Sequence, residues 1–234
     1  MAIVTEQRVP RLATGDHLTR DEFLRRWEAQ PEIKRAELIG GRVYMPSPVS
    51  GDHGIMDRWV GTWLGVYEAA TPGVGGANNA TSLMLEDAPQ PDLSLLIKPE
   101  YGGRSRVEGL YFQGALEFLA EVSASSASND LHDKYDLYQS AGVQEYLVVL
   151  LFEEEIRWHE LIDGRYRVFP PDADGLWRSR VYPGLWLDGQ ALLAGNLRQV
   201  LDRLQDGLRS AEHERFVADL AARRAGMFER DAET

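Results

Sequence analysis

The sequence predicts a mixed α/β protein, a sheet carrying helices on its faces. Residues 115–122 and 145–152 read as strands, and a helical segment over about 131–140 that stops at Gly142 lies between them. That order implies a right-handed crossover between parallel neighbours. A third run, Asp92-Leu93-Ser94-Leu95-Leu96-Ile97, is short and apolar enough to be a strand buried on both faces. With 234 residues, 44% of them apolar and 26% charged, the chain makes one large domain or two small ones and is too apolar to be disordered.

The remaining elements follow from local patterns. Thr19 followed by Glu22 has the form of a capping box, and Phe23, Leu24 and Trp27 recur at helical spacing until Pro31 ends the run. Residues 36–39 and 42–45 flank Gly40-Gly41, a two-residue loop suited to a tight hairpin. Pro46-Ser47-Pro48 then leads into a longer helix whose Ile55, Trp59, Trp63, Val66 and Tyr67 share one face, the two tryptophans reading as core. Gly73-Val74-Gly75-Gly76 lacks the third glycine and the strand–turn–helix setting of a dinucleotide loop, and reads as a turn. Residues 82–85 suggest a short strand and 98–109 a mobile loop.

Within 115–122 the pattern alternates. Leu116, Phe118, Ala120 and Val122 fall on one side and Glu117, Leu119 and Glu121 on the other, with Glu121 near the strand's end. Residues 156–161 and 166–169 pair across Asp163-Gly164 as an edge hairpin. Beyond Gly195, Leu197, Leu201, Leu204, Leu208 and Ala211 are spaced 4, 3, 4 and 3 apart and predict one helix with a narrow apolar seam. The seam either packs on its own domain or joins two copies as a homodimer.

Composition narrows the function. The absence of cysteine removes disulfides, thiolate catalysis and thiolate zinc sites, and suits a reducing, cytoplasmic setting. No apolar run approaches the roughly 20 residues of a membrane helix, so no membrane partner is expected. The 25 basic against 37 acidic residues leave a formal charge of −12. A nucleic-acid partner would therefore need a local basic patch or bound cations. Phosphate-loop, Gly-x-Ser-x-Gly and His-Glu-x-x-His signatures are all missing.

What remains is an acidic constellation: Pro91-Asp92 opening a buried strand, Glu121 ending another, and Lys134 on the helix that follows. Neighbouring strands lie about 4.8 Å apart, so carboxylates at adjacent ends can share one hard cation. Mg²⁺ commonly takes only one or two carboxylates, with waters and substrate phosphates completing its shell. Each residue also has a plainer reading: Asp92 as a cap, Glu121 as a solvated strand end, Lys134 as the surface partner of Asp130 at i, i+4. The serines at 123, 125, 126 and 128 read as a loop and cap, His53 as a cap or a catalytic group, and Arg104 and Arg106 as solvated or phosphate-binding.

The same residues resemble the Uma-type restriction endonuclease family of the P-D…(D/E)-x-K nuclease superfamily, over about residues 15–203. The resemblance rests on Glu37-Leu38-Ile39-Gly40-Gly41, Pro46-Ser47-Pro48 with His53, Pro91-Asp92, Glu121-Val122, Lys134 with Tyr138, and Ala141-Gly142-Val143-Gln144-Glu145-Tyr146. Outside it, residues 204–234 are expected to form a C-terminal helical extension, and the resemblance itself implies a restriction-endonuclease-like α/β core with an extra β-hairpin. It further implies a DNA endonuclease in which Asp92 and Glu121 hold Mg²⁺ or Mn²⁺, Lys134 is the catalytic lysine and Glu37 a third acidic member. The superfamily's usual lysine position, two residues after the glutamate, is Ser123, so the ammonium has to come from the next helix. Two other classes fit the residues: a catalytically silent module acting through oligomerisation or protein partners, and a carboxylate-pair glycosidase.

Overall fold

The computed structural model describes residues 9–45, 49–124 and 129–232. Pro46-Ser47-Pro48 and Ser125, Ser126 and Ser128 lie outside the described residues, as does the side chain of Asp130. In chain order the elements are α1 (Arg20–Glu28), β1 (Glu37–Ile39), β2 (Arg42–Tyr44), α2 (Gly51–Ala70), β3 (Val74–Asn78), β4 (Ser82–Leu83), β5 (Leu93–Ile97), β6 (Arg106–Glu108), β7 (Tyr111–Gln113), β8 (Phe118–Ser123), α3 (Asn129–Ala141), β9 (Glu145–Leu150), β10 (Glu155–Ile162), β11 (Arg165–Val168), β12 (Leu176–Arg178), β13 (Trp186–Asp188), α4 (Gly189–Leu193), α5 (Leu197–Leu208) and α6 (Ala211–Ala232).

Six strands form the central sheet in the order β11-β10-β9-β8-β5-β3. All its neighbours are antiparallel except β8 and β9, the parallel pair that the strand–helix–strand order predicts. Alternation along β8 sorts the two faces. Phe118, Ala120 and Val122 join a core with α2, α5 and β13, while Leu119 packs with Leu137 and Tyr138 of α3. Both faces are thus covered, which is why β5 and β9 are buried throughout.

The hairpin β1–β2 turns on Gly40 and Gly41, at φ 59° and 71°. Side chains with a Cβ rarely adopt this left-handed region. The buried carboxylate of Asp87 accepts both glycine amides, at 3.0 and 3.1 Å, and Leu38 bridges to Ala88. The hairpin is therefore tied to the segment that runs into β5, which positions Glu37 beside the end of the sheet.

Several expectations are corrected. The hydroxyl of Thr19 caps α1, but the Glu22 carboxylate accepts from Arg25 at 2.7 Å and Arg26 at 2.6 Å instead of closing the capping box. Residues 74–76 belong to the edge strand β3 and not to a turn. Their glycines serve close packing: a Cβ on Gly76 would come within 2.9 Å of Glu68 Oε2 on α2. Residues 98–109 hold a 3₁₀ turn, Pro99–Tyr101, and β6, which pairs with β7 beside β4. This region is fastened by buried Glu117, which accepts Ile97 N at 3.0 Å and Arg104 N at 3.1 Å.

On α2 the buried stripe is Met56, Val60, Trp63, Leu64 and Tyr67, leaving Ile55 49% exposed and Trp59 half-buried. The helix is rotated this way by Trp63 Nε1 and Tyr67 OH, which donate to the carbonyls of Trp186 and Pro183. The seam after Gly195 is split between two helices. It packs within its own chain, α5 burying Val200 and Leu204 against the sheet core and α6 adding Phe216 and Leu220.

Glu145 opens β9 fully buried, accepting Ser179 Oγ at 2.7 Å and the Arg180 and Val181 amides at 2.6 and 3.2 Å. Burial outweighs these bonds and pushes its carboxyl up to about 7, from 4.5. The folded state thus binds this proton more tightly than the unfolded chain does. The resulting stabilisation is present below pH 4.5 and is lost as pH rises to about 7. Urea denaturation should show a decline of order 2–3 kcal/mol over that window in the native protein, and a flatter profile in Glu145→Gln.

Candidate functional site

The site begins with strand register. β5 and β8 pair with Leu93 opposite Ala120 and Ser94 opposite Leu119, so the next step sets Asp92 opposite Glu121. Both follow the parity of Leu119 and face α3. Directly opposed side chains on such a pair have Cβ atoms about 4.5–5.5 Å apart. Asp92 Oδ2 also accepts the Val122 amide at 2.9 Å, a bond across the two strands that fixes the carboxylate. That is more than the capping role its place after Pro91 suggests.

Lys134 and Tyr138 are four apart on α3 and so lie on one helical face. Lys134 Nζ is 3.0 Å from Glu121 Oε1 and 3.0 Å from Glu37 Oε1, and Tyr138 OH donates to Glu121 Oε1 at 2.9 Å. Glu37 in turn accepts the Gln90 amide at 2.6 Å. The helix therefore delivers an ammonium to the end of β8, where Lys134 is buried between Glu121 and Glu37. Glu37, Asp92, Glu121 and Lys134 all line one cavity of about 190 Å³, together with Arg35, His53, Gln90 and Ser123.

His53 has two places in this arrangement. Its amide is bonded by the N-cap Ser50, while its Nε2 sits 3.6 Å from Asp92 Oδ2. Asp57, one turn further along α2, feels the charges of Asp92, His53 and Arg35. Residue types alone left His53 between cap and catalysis and gave no sign of Arg35, Asp57 or Gln90; the i, i+4 pair His53 and Asp57 was the one local signal. Arg104 and Arg106 lie elsewhere, bonded to Gly142 O and to Glu108.

Electrostatics follow from the count of charges. Burial opposes the charge on Lys134, yet Glu121, Glu37 and Asp92 outweigh it and hold the amine protonated, above its ordinary range. Burial also opposes charge on Asp92, but His53, Lys134 and the Val122 amide keep its carboxyl below the usual range. Glu121 is the opposite case: burial, with Asp92 and Glu37 beside it, pushes it up to about 8 although Lys134 pulls the other way. Asp92 raises His53 above its ordinary value against the effect of burial. Three carboxylates around one ammonium leave surplus negative charge, so the site retains a proton or a cation.

Among the described residues no group of three or more His, Cys, Asp or Glu side chains forms a metal cage. The adjacent pair Asp92 and Glu121 nonetheless fits a sparsely held hard cation: the donors are carboxylate oxygens, and Glu121 Oε2 and Asp92 Oδ1 accept no hydrogen bond from the described residues.

A family model named Uma2 and described as "Putative restriction endonuclease" matches residues 20–198. Among solved structures, the chain is similar to a crystal structure of a putative nuclease belonging to DUF820 from Anabaena variabilis. The two are 16% identical, with 80% of this chain and 99% of that one covered, at a TM-score of 0.57. That likeness shows a shared fold. The curated proteins give no match.

Removing the ammonium leaves two buried carboxylates without their counter-ion. Lys134→Ala should lower stability by about 3–5 kcal/mol in urea denaturation at pH 8. Tyr138→Phe, which deletes a single hydrogen bond to Glu121, should lower it by about 1 kcal/mol.

Proposed function

Because the chain belongs to the Uma2 family of putative restriction endonucleases, we propose that it is a DNA endonuclease dependent on Mg²⁺ or Mn²⁺, hydrolysing phosphodiester bonds at the Asp92–Glu121 cavity. The observation that carries this reading is the juxtaposition of two carboxylates at the ends of neighbouring strands with a lysine 3.0 Å from one of them. Asp92 and Glu121 would hold the cation. Bound there, it supplies charge neutralisation at the phosphate and promotes ionisation of water.

This chain's own residues account for the rest. Lys134, held protonated by the carboxylates around it, acts as a hydrogen-bond donor and positive charge. It orients the attacking water or stabilises the negative charge that builds on the phosphoryl oxygens. Glu37 and Tyr138 hold Lys134 and Glu121 in place, the first through the ammonium and the second through the carboxylate. His53 keeps a positive or donating ring against Asp92. Arg35 is exposed at the rim, and among the described residues it makes no ion pair, so it can contact a phosphate flanking the one that reacts.

The test is divalent-dependent nicking of supercoiled plasmid. Asp92→Asn and Glu121→Gln should each reduce the rate by about 100-fold or more while circular dichroism stays unchanged, and calorimetry should show loss of Mn²⁺ binding in both. Unchanged cleavage in both variants would overturn the reading. A folded protein that takes up no Mn²⁺ would instead favour the silent-module alternative. Arg35→Ala should weaken DNA binding across all sequences and lessen the slope of log affinity against log salt by about 1, as read from fluorescence anisotropy.

A further inference from the structure

A second cavity, of about 240 Å³, opens against the other side of α3. It adjoins the first: Leu131 lines both, and Val148, on its floor, is the residue of β9 opposite Glu121. α3 thus carries Lys134 into one cavity and, one residue on, Tyr135 into the other. The walls are aromatic. Tyr135 meets His159 edge-on at 5.1 Å and 80°, and His159 lies nearly parallel to Tyr146 at 5.7 Å and 24°.

The polar groups here are incompletely used. Tyr146 lines the cavity with its side chain fully buried, and its hydroxyl has no hydrogen-bond partner among the described residues. His159 Nδ1 is 3.2 Å from the Tyr146 carbonyl oxygen, which makes Nδ1 the donor and leaves Nε2 as an acceptor in the neutral ring. The volume is below the roughly 300–1,000 Å³ of drug-sized sites and suits one flat heterocycle.

We propose that this cavity takes one unpaired nucleobase of a DNA strand whose backbone passes over the Asp92–Glu121 cavity, so that the preferred substrate is single-stranded or locally unpaired DNA. Tyr135 and His159 supply ring contacts, and His159 Nε2 supplies a polar one. Ring stacking is indifferent to net charge, so it gives a chain of formal charge −12 affinity that phosphate contacts alone supply poorly. The proposal takes its strand from the nuclease reading but is tested separately from it.

The experiment uses the full chain in EDTA at low salt with two fluorescein-labelled probes of equal charge, a ten-nucleotide thymidine strand and a ten-unit abasic strand. Anisotropy should show the base-bearing strand binding about 10-fold tighter or more. Tyr135→Ala should shrink that preference to within about 2-fold without changing affinity for the abasic strand, and Tyr135→Phe should retain it. Tyr135 is partly exposed, so both variants should fold, as circular dichroism would verify. Equal affinity for both probes, no binding of either, or a preference that survives Tyr135→Ala would overturn the proposal. Base preference without Mn²⁺-dependent plasmid cleavage would leave the pocket standing and remove the nuclease reading; cleavage without base preference would do the reverse.

Discussion

The buried ammonium of Lys134 is the constraint on which the arrangement around it depends. Taking such a charge out of water costs several kcal/mol, and the cost is tolerable here because two carboxylates lie 3.0 Å away. Those carboxylates belong to different parts of the chain, Glu37 to the β1–β2 hairpin and Glu121 to the central strand β8. One helix side chain therefore joins the hairpin, the sheet and α3 at a single point. Asp87 and Gln90, on the segment leading to β5, clasp the hairpin glycines and Glu37. The same few residues that hold the ion pair together thus deliver Asp92 to its place beside Glu121.

That dependence explains which parts of the protein were legible in the sequence. The β8–α3–β9 crossover was readable because its periods of 2 and 3.6 are local, and the β1–β2 turn because two adjacent glycines leave few alternatives. Strand β3 was hidden because glycine carries no side-chain period; it is a strand because residues 74–78 pair with β5. Strands β6 and β7 were hidden for a different reason: their side chains are exposed or half-buried, so neither face is marked. The rotation of α2 was unreadable because the carbonyls that set it lie more than 110 residues away.

The site divides along the same line. Asp92, Glu121, Lys134 and Glu37 stand out through motif order, and they meet on one cavity because β5 and β8 are neighbours. Arg35, Asp57 and Gln90 carry no motif and reach the site through tertiary packing. The displaced lysine is the instructive member. With Ser123 at the strand position and Lys134 on α3, the positive charge arrives from above the sheet and not from within it. Its side chain is anchored by Glu37 as well as Glu121.

The surplus of acid in the cavity also decides how a substrate can be recognised. At physiological salt charges are screened beyond about 8 Å, so the formal −12 neither attracts nor strongly repels a DNA backbone from afar. On the proposed reading, discrimination would fall to contacts made at close range: Arg35 at the rim, Lys134 within, and the aromatic walls under α3. Of these, only the aromatic walls distinguish a base from the sugar-phosphate chain that carries it. A protein that cannot rely on long-range attraction gains most from such contacts when the base is already unpaired, because a base taken from a duplex must first lose its own stacking, at a cost of a few kcal/mol.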